Sequence, residues 1–213
     1  MAKSDAGLKE TPSQTAGPYI HIGMDPETAG LDPARIAALT SADGQAQANG
    51  QRIRITGVIH DGNDAPLQDA MVELWQADAS GIYNSPHDPR YAERDPAVFG
   101  WQRTACDLKT GAFFFETIKP GPVPGPGNTM MAPHLNFWIV ARGLNIGLLT
   151  RMYFPDQADA NAADPVLALI DDAARQRTLI ALPDGADEPD KNVTCYRFVI
   201  RLQGDDETVF FDG

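Results

Sequence analysis

A chain of 213 residues is long enough for one substantial core, and 43% hydrophobic residues is an ordinary proportion for a folded protein. Its net charge of −12 would repel nucleic-acid phosphates and anionic membranes, which argues against both as partners. No apolar run reaches the length of a membrane span and no signal-peptide pattern opens the chain. The expected compartment is therefore the cytoplasm, with Cys106 and Cys195 as buried thiols rather than a bridge.

Residues 1–50 form an arm punctuated by Pro12, Gly17, Pro18, Gly23, Pro26, Gly30 and Pro33. One short helix is predicted in it, capped by Asp32, opened by Pro33 and running from Ala34 to Leu39. An arm with so little structure of its own is expected to wrap the domain or reach a neighbour. From residue 51 to 213 the texture is that of strands. Predicted strands cover Arg52–Ile59, Met71–Ala77, Phe113–Ile118, Leu135–Arg142, Leu148–Phe154 and Thr194–Leu202. In the last, Tyr196, Phe198, Ile200 and Leu202 alternate with Arg197 and Arg201, whereas Leu135–Arg142 is apolar enough to be buried on both faces. A second helix is predicted from the cap Asp164 through Pro165 to Ile170. The fold class is all-β: an antiparallel β-sandwich with a long N-terminal arm and one or two short helices.

The chemistry is sparse. There is no Gly-x-Ser-x-Gly, phosphate-binding loop or dinucleotide fingerprint. The four histidines, His21, His60, His87 and His134, include no close pair. The stretch 119–143 stands out, where a Pro/Gly-rich loop feeds an apolar strand that begins with His134 and Asn136. Residues i and i+2 of a strand share a face, so two histidines there would make a metal-binding pair. Asn136 is a poor ligand for a transition metal, and the frame is that of a metal site short of a ligand.

Three spaced motifs carry a resemblance: Leu74-Trp75-Gln76-Ala77-Asp78-Ala79-Ser80-Gly81-Ile82-Tyr83, Thr117-Ile118-Lys119-Pro120-Gly121-Pro122, and Ala132-Pro133-His134-Leu135-Asn136-Phe137. With Thr11–Tyr19 and Gln203–Asp212 they resemble the intradiol ring-cleaving dioxygenases from about residue 11 to the end. The resemblance implies a non-haem Fe(III) held in that family's catalytic chains by two tyrosines and two histidines. Here the four positions are Tyr83, Val123, His134 and Asn136, and an arginine three residues before the first histidine is replaced by Met131. Two of four ligands and a neighbouring cation are lost, which implies a chain that binds no metal itself and pairs, as an α subunit, with an iron-bearing β subunit.

In such pairs the α chain borders the partner's cleft. The matching positions are Thr15, Gly17, Pro18 and Tyr19 on the arm and Arg142 at a strand end, all retained. An arginine at the mouth would attract an aromatic carboxylate, the substrate that reacts with O2. Read without the family, Arg142 is a surface charge paired with a carboxylate, Tyr83 a packed aromatic, and Gly17 and Pro18 turn formers. Two other readings stay open: a non-enzymatic β-sandwich binding module, and a homomeric enzyme with a different metal set around Tyr83 and His134.

Overall fold

The computed structural model describes residues 15–17, 30, 47–185 and 192–212. Ten strands follow in chain order: β1 (Arg52–His60), β2 (Met71–Trp75), β3 (Trp101–Ala105), β4 (Ala112–Ile118), β5 (Val123–Pro124), β6 (Met130–Met131), β7 (His134–Val140), β8 (Leu148–Tyr153), β9 (Leu182–Pro183) and β10 (Thr194–Arg201). One sheet has the order β4-β1-β10-β9, a second β3-β2-β7-β8, and β5-β6 is a separate two-stranded ribbon. Two one-turn helices, α1 (Ala158–Ala162) and α2 (Ala173–Arg177), lie between β8 and β9. The predicted arm helix at 34–39 lies outside the described residues. None of the described helices is long and apolar enough to cross a membrane.

The core sits between the two four-stranded sheets, and period-2 patterning decides which side chains enter it. Ile53, Ile55 and Ile59 of β1 point inward with Tyr196, Phe198 and Ile200 of β10, against Val72 and Leu74 of β2 and Leu135, Phe137 and Ile139 of β7. Phe113, Phe115, Phe137 and Phe198 form an aromatic cluster with ring centroids 5.6–6.3 Å apart. Gly57 makes room for it, because a Cβ there would overlap the Phe113 ring. Cys106 and Cys195 are both buried.

Four expectations need correction. The strands are antiparallel except β1 and β10, which pair in parallel from Ile53–Thr194 to His60–Arg201. Strand β7 is fully buried along its inward face, whereas on its outer face His134 is buried but Asn136, Trp138 and Val140 are half-buried. Strand β3 was not predicted: all five residues are half-buried, so this edge strand shows no alternation to read. The helix expected over 165–170 is a 3-10 turn, Leu167–Leu169. Its cap residue is Val166 rather than the predicted Asp164, which sits two residues earlier and accepts on its carboxylate from the amides of Val166 at 2.8 Å and Leu167 at 2.9 Å. Ile170 then leaves in an extended conformation.

Candidate functional site

The outer face of the β3-β2-β7-β8 sheet carries the first group of site residues. Beyond β2, Asp78 folds the chain back: one carboxylate oxygen accepts from the amides of Ser80 and Ile82, the other from Asp95. Gly81 sits at φ +75 and packs on the Pro122 carbonyl, where a Cβ would clash, so only glycine brings this turn against the Pro/Gly loop. The Gly121 amide donates to the Asp78 carbonyl at 2.9 Å and locks loop and turn together. The turn delivers Tyr83 onto Trp75, ring centroids 5.8 Å apart and planes 7° from parallel. Burial raises the Tyr83 hydroxyl above its ordinary value, against a hydrogen bond from Asn136 and the nearby positive charge of Arg151.

His134 is 3% exposed. Its Nδ1 lies 2.7 Å from the Ala132 carbonyl, which can only accept, so Nδ1 carries the proton and Nε2 presents a lone pair. That Nε2 is buried with no hydrogen-bond partner among the described residues. Burial, reinforced by the Arg151 charge, lowers the imidazole to about 4, and it is neutral at pH 7. Asn136 donates to the Trp75 carbonyl at 3.2 Å.

Strand register assembles the rest. Trp75 faces Asn136 across β2-β7, Asn136 faces Arg151 across β7-β8, and His134 faces Tyr153. Opposed residues share a face, so Arg151 stands beside the second expected ligand position. In the β5-β6 ribbon, Val123 is directly opposite Met131. The two positions where the resemblance implies a missing ligand and a missing cation are thus one cross-strand apolar pair, with Val123 buried. The Arg151 guanidinium reaches the Met131 sulfur at 3.4 Å. Tyr153 gives its hydroxyl to Asp164 at 3.2 Å, and burial pushes it up to about 12. A cavity of about 390 Å³ opens beside Tyr83, Trp75 and Val123. Asp88 on its wall is taken up by the Tyr83 amide and Arg90.

These residues do not fit a four-donor ferric centre. Tyr83 and His134 offer donors, Val123 offers none, and Asn136 brings a neutral amide whose nitrogen is given to the Trp75 carbonyl and the Tyr83 hydroxyl. No group of three or more His, Cys, Asp or Glu able to hold a metal exists among the described residues.

The second group lies just beyond the other end of β7, whose span from His134 to Val140 is roughly 20 Å at about 3.4 Å per residue. Here Arg142 and Gly143 turn the chain, and the Gly143 amide donates to the Thr15 hydroxyl at 2.8 Å. The arm and the strand-end arginine, far apart in sequence, meet at this bond. Arg142 pairs with Asp69 while its side chain stays 67% exposed. Gly17 is exposed, and Pro18 and Tyr19 lie outside the described residues. Sequence reading missed Asp69, Arg151 and Tyr153. The one available signal was a lone cation, Arg151, inside the apolar strand β8.

A family model described as Dioxygenase matches residues 31–204. The chain is 45% identical to the protocatechuate 3,4-dioxygenase alpha chain of Pseudomonas putida over 96% of its own length and 97% of that protein's. It is 34% identical to the protocatechuate 3,4-dioxygenase beta chain of Burkholderia cepacia over 75% of this chain and 67% of the other. The intradiol ring-cleavage dioxygenase of Tetranychus urticae shares the fold, with a TM-score of 0.52 at 21% identity over 72% of this chain and 81% of that one. Motifs, sandwich and similarity agree, and the chain belongs to the intradiol dioxygenase family, among the alpha chains of protocatechuate 3,4-dioxygenase.

Proposed function

We propose that this chain is the iron-free alpha subunit of a cytoplasmic protocatechuate 3,4-dioxygenase. Its partner beta chain supplies ferric iron for the chemistry. The complex opens the ring of protocatechuate between the two hydroxyl-bearing carbons with O2, giving 3-carboxy-cis,cis-muconate. One contrast supports the reading. The ligand positions are lost at Val123 and Asn136, while the arm and Arg142 stay joined at the opposite end of β7 through Thr15 and Gly143.

In this reading the alpha chain works through that opposite end. Residues 1–50 reach the beta chain, and Thr15, Gly17, Pro18 and Tyr19 border its cleft. Arg142 offers a guanidinium to the substrate carboxylate, a planar match for two parallel hydrogen bonds. Asp69 holds Arg142 until substrate arrives, and the exchange of one carboxylate for another leaves the guanidinium paired throughout. The positive head also offsets a net charge of −12 that would otherwise repel an anionic substrate.

The test is metal analysis and turnover of the chain expressed alone and with a beta chain. The complex should carry iron and consume protocatechuate and O2, and the chain alone should do neither. Stoichiometric iron in the isolated chain would favour a metal set around Tyr83 and His134. Failure to form any complex would favour a binding module.

A further inference from the structure

We propose that Arg151 is a built-in cation that closes the degenerate centre to metal, so the missing ligands are only part of the block. This rests on the reading of the chain as iron-free and goes one step further, to what replaces the ion. Arg151 lies directly opposite Asn136, and its neighbour in the register, Tyr153, lies opposite His134. The guanidinium therefore starts from the middle of the expected ligand face. It extends to the Met131 sulfur at 3.4 Å, next to Val123 across the β5-β6 ribbon. The side chain thus runs from the register position opposite Asn136 to the Met131 sulfur, whose residue pairs with Val123.

Two further observations point the same way. Arg151 is half-buried, meets the Phe211 ring at 5.7 Å and the Tyr153 hydroxyl, and makes no ion pair with a carboxylate among the described residues. Its charge is directed into the site rather than neutralised. The His134 lone pair is still aimed inward with no partner among the described residues. An intact, neutral imidazole donor thus persists beside a fixed positive charge. The Arg151 guanidinium supplies that charge. It repels an incoming metal ion while giving the phenol and amide dipoles around it the cation they face.

Reinstating the ligands alone should therefore fail. Full-length V123Y/N136H, V123Y/N136H/R151K and V123Y/N136H/R151Q chains would be loaded with Fe(II), oxidised and desalted. Iron per chain and the visible tyrosinate-to-iron absorption would then be read. The R151Q version should bind iron about 100-fold more tightly than the other two, because Lys keeps the charge and Gln removes it. Equal loading of V123Y/N136H with Arg151 in place overturns the proposal. Loading of the Lys version to the level of Gln, or no loading of any version, does so as well. Iron in the unaltered chain would instead defeat the underlying reading. If the double substitution does not fold by circular dichroism, Arg151→Gln alone decides. It should let Cu2+ quench tryptophan fluorescence at about tenfold lower concentration, a gain abolished by adding His134→Phe. No such gain overturns the proposal.

Discussion

Acidification from pH 7 to pH 4 charges water-exposed imidazoles freely, but at His134 the proton must enter a closed space. The side chain is 3% exposed, its Nδ1 hydrogen is already given to the Ala132 carbonyl, and Arg151 adds a like charge nearby. These causes, burial first, bring it from 6.5 to about 4. The sign is fixed by which state binds more protons. Between those values the unfolded chain holds the proton and the native chain does not. The contribution of His134 is therefore fully present above pH 6.5 and is lost as pH falls towards 4. The gap corresponds to about 3 kcal/mol, most of it gone by pH 4.5. Urea unfolding at pH 7, 6, 5 and 4.5 would be compared between the wild type and His134→Gln, which keeps a polar amide but cannot titrate. Carboxylates held low, such as Asp88, Asp95 and Asp156, act equally in both proteins and cancel in the difference. The wild type should lose about 2.5 kcal/mol more than the variant from pH 7 to 4.5. Equal losses, or an imidazole that titrates near 6.5 by NMR, would refute the reasoning.

At the other end of β7, Arg142→Ala in the αβ complex should lower kcat/KM for protocatechuate about fivefold and leave iron content intact. A guanidinium that stays 67% exposed is screened, and about 1 kcal/mol is what such a contact supplies. An unchanged kcat/KM would remove its proposed role. Asp164, fully buried, accepts from the amides of Ala132, Val166 and Leu167 and from the Tyr153 hydroxyl. Asp164→Ala strands these donors and should cost about 3–5 kcal/mol, a fall of roughly 10 °C in Tm for a chain of this size. A fall of under 3 °C by calorimetry would mean that water replaces the carboxylate.

Local patterning made much of the protein legible in advance. Alternation marked β2 and β10, runs bounded by turn residues marked β1, β4 and β8, and an apolar run marked β7, whose one-sided burial it did not show. Patterning failed at β3, whose five residues are evenly half-buried, and at the one-turn helices α1 and α2, too short to show a period. The resemblance implied the four ligand positions, because Tyr83, Val123, His134 and Asn136 each sit in a motif of glycine, proline and strand that matches the family's.

What no local pattern holds is register between strands distant in sequence. The sequence, through its resemblance to the family, implied a metal frame short of donors at Val123 and Asn136. Tertiary structure alone decided that Val123 and Met131 are cross-strand partners, that Arg151 lies opposite Asn136, and that Thr15 meets Gly143 across 128 residues. It also decided that β1 and β10 run parallel. The β7-β8 and β1-β10 registers are settled by the joint packing of two sheets on one core, where shifting a strand by one residue would turn its apolar face to water. The residues that occupy the expected ligand face were therefore beyond the reach of the sequence, although its resemblance to the family implied the missing ligands.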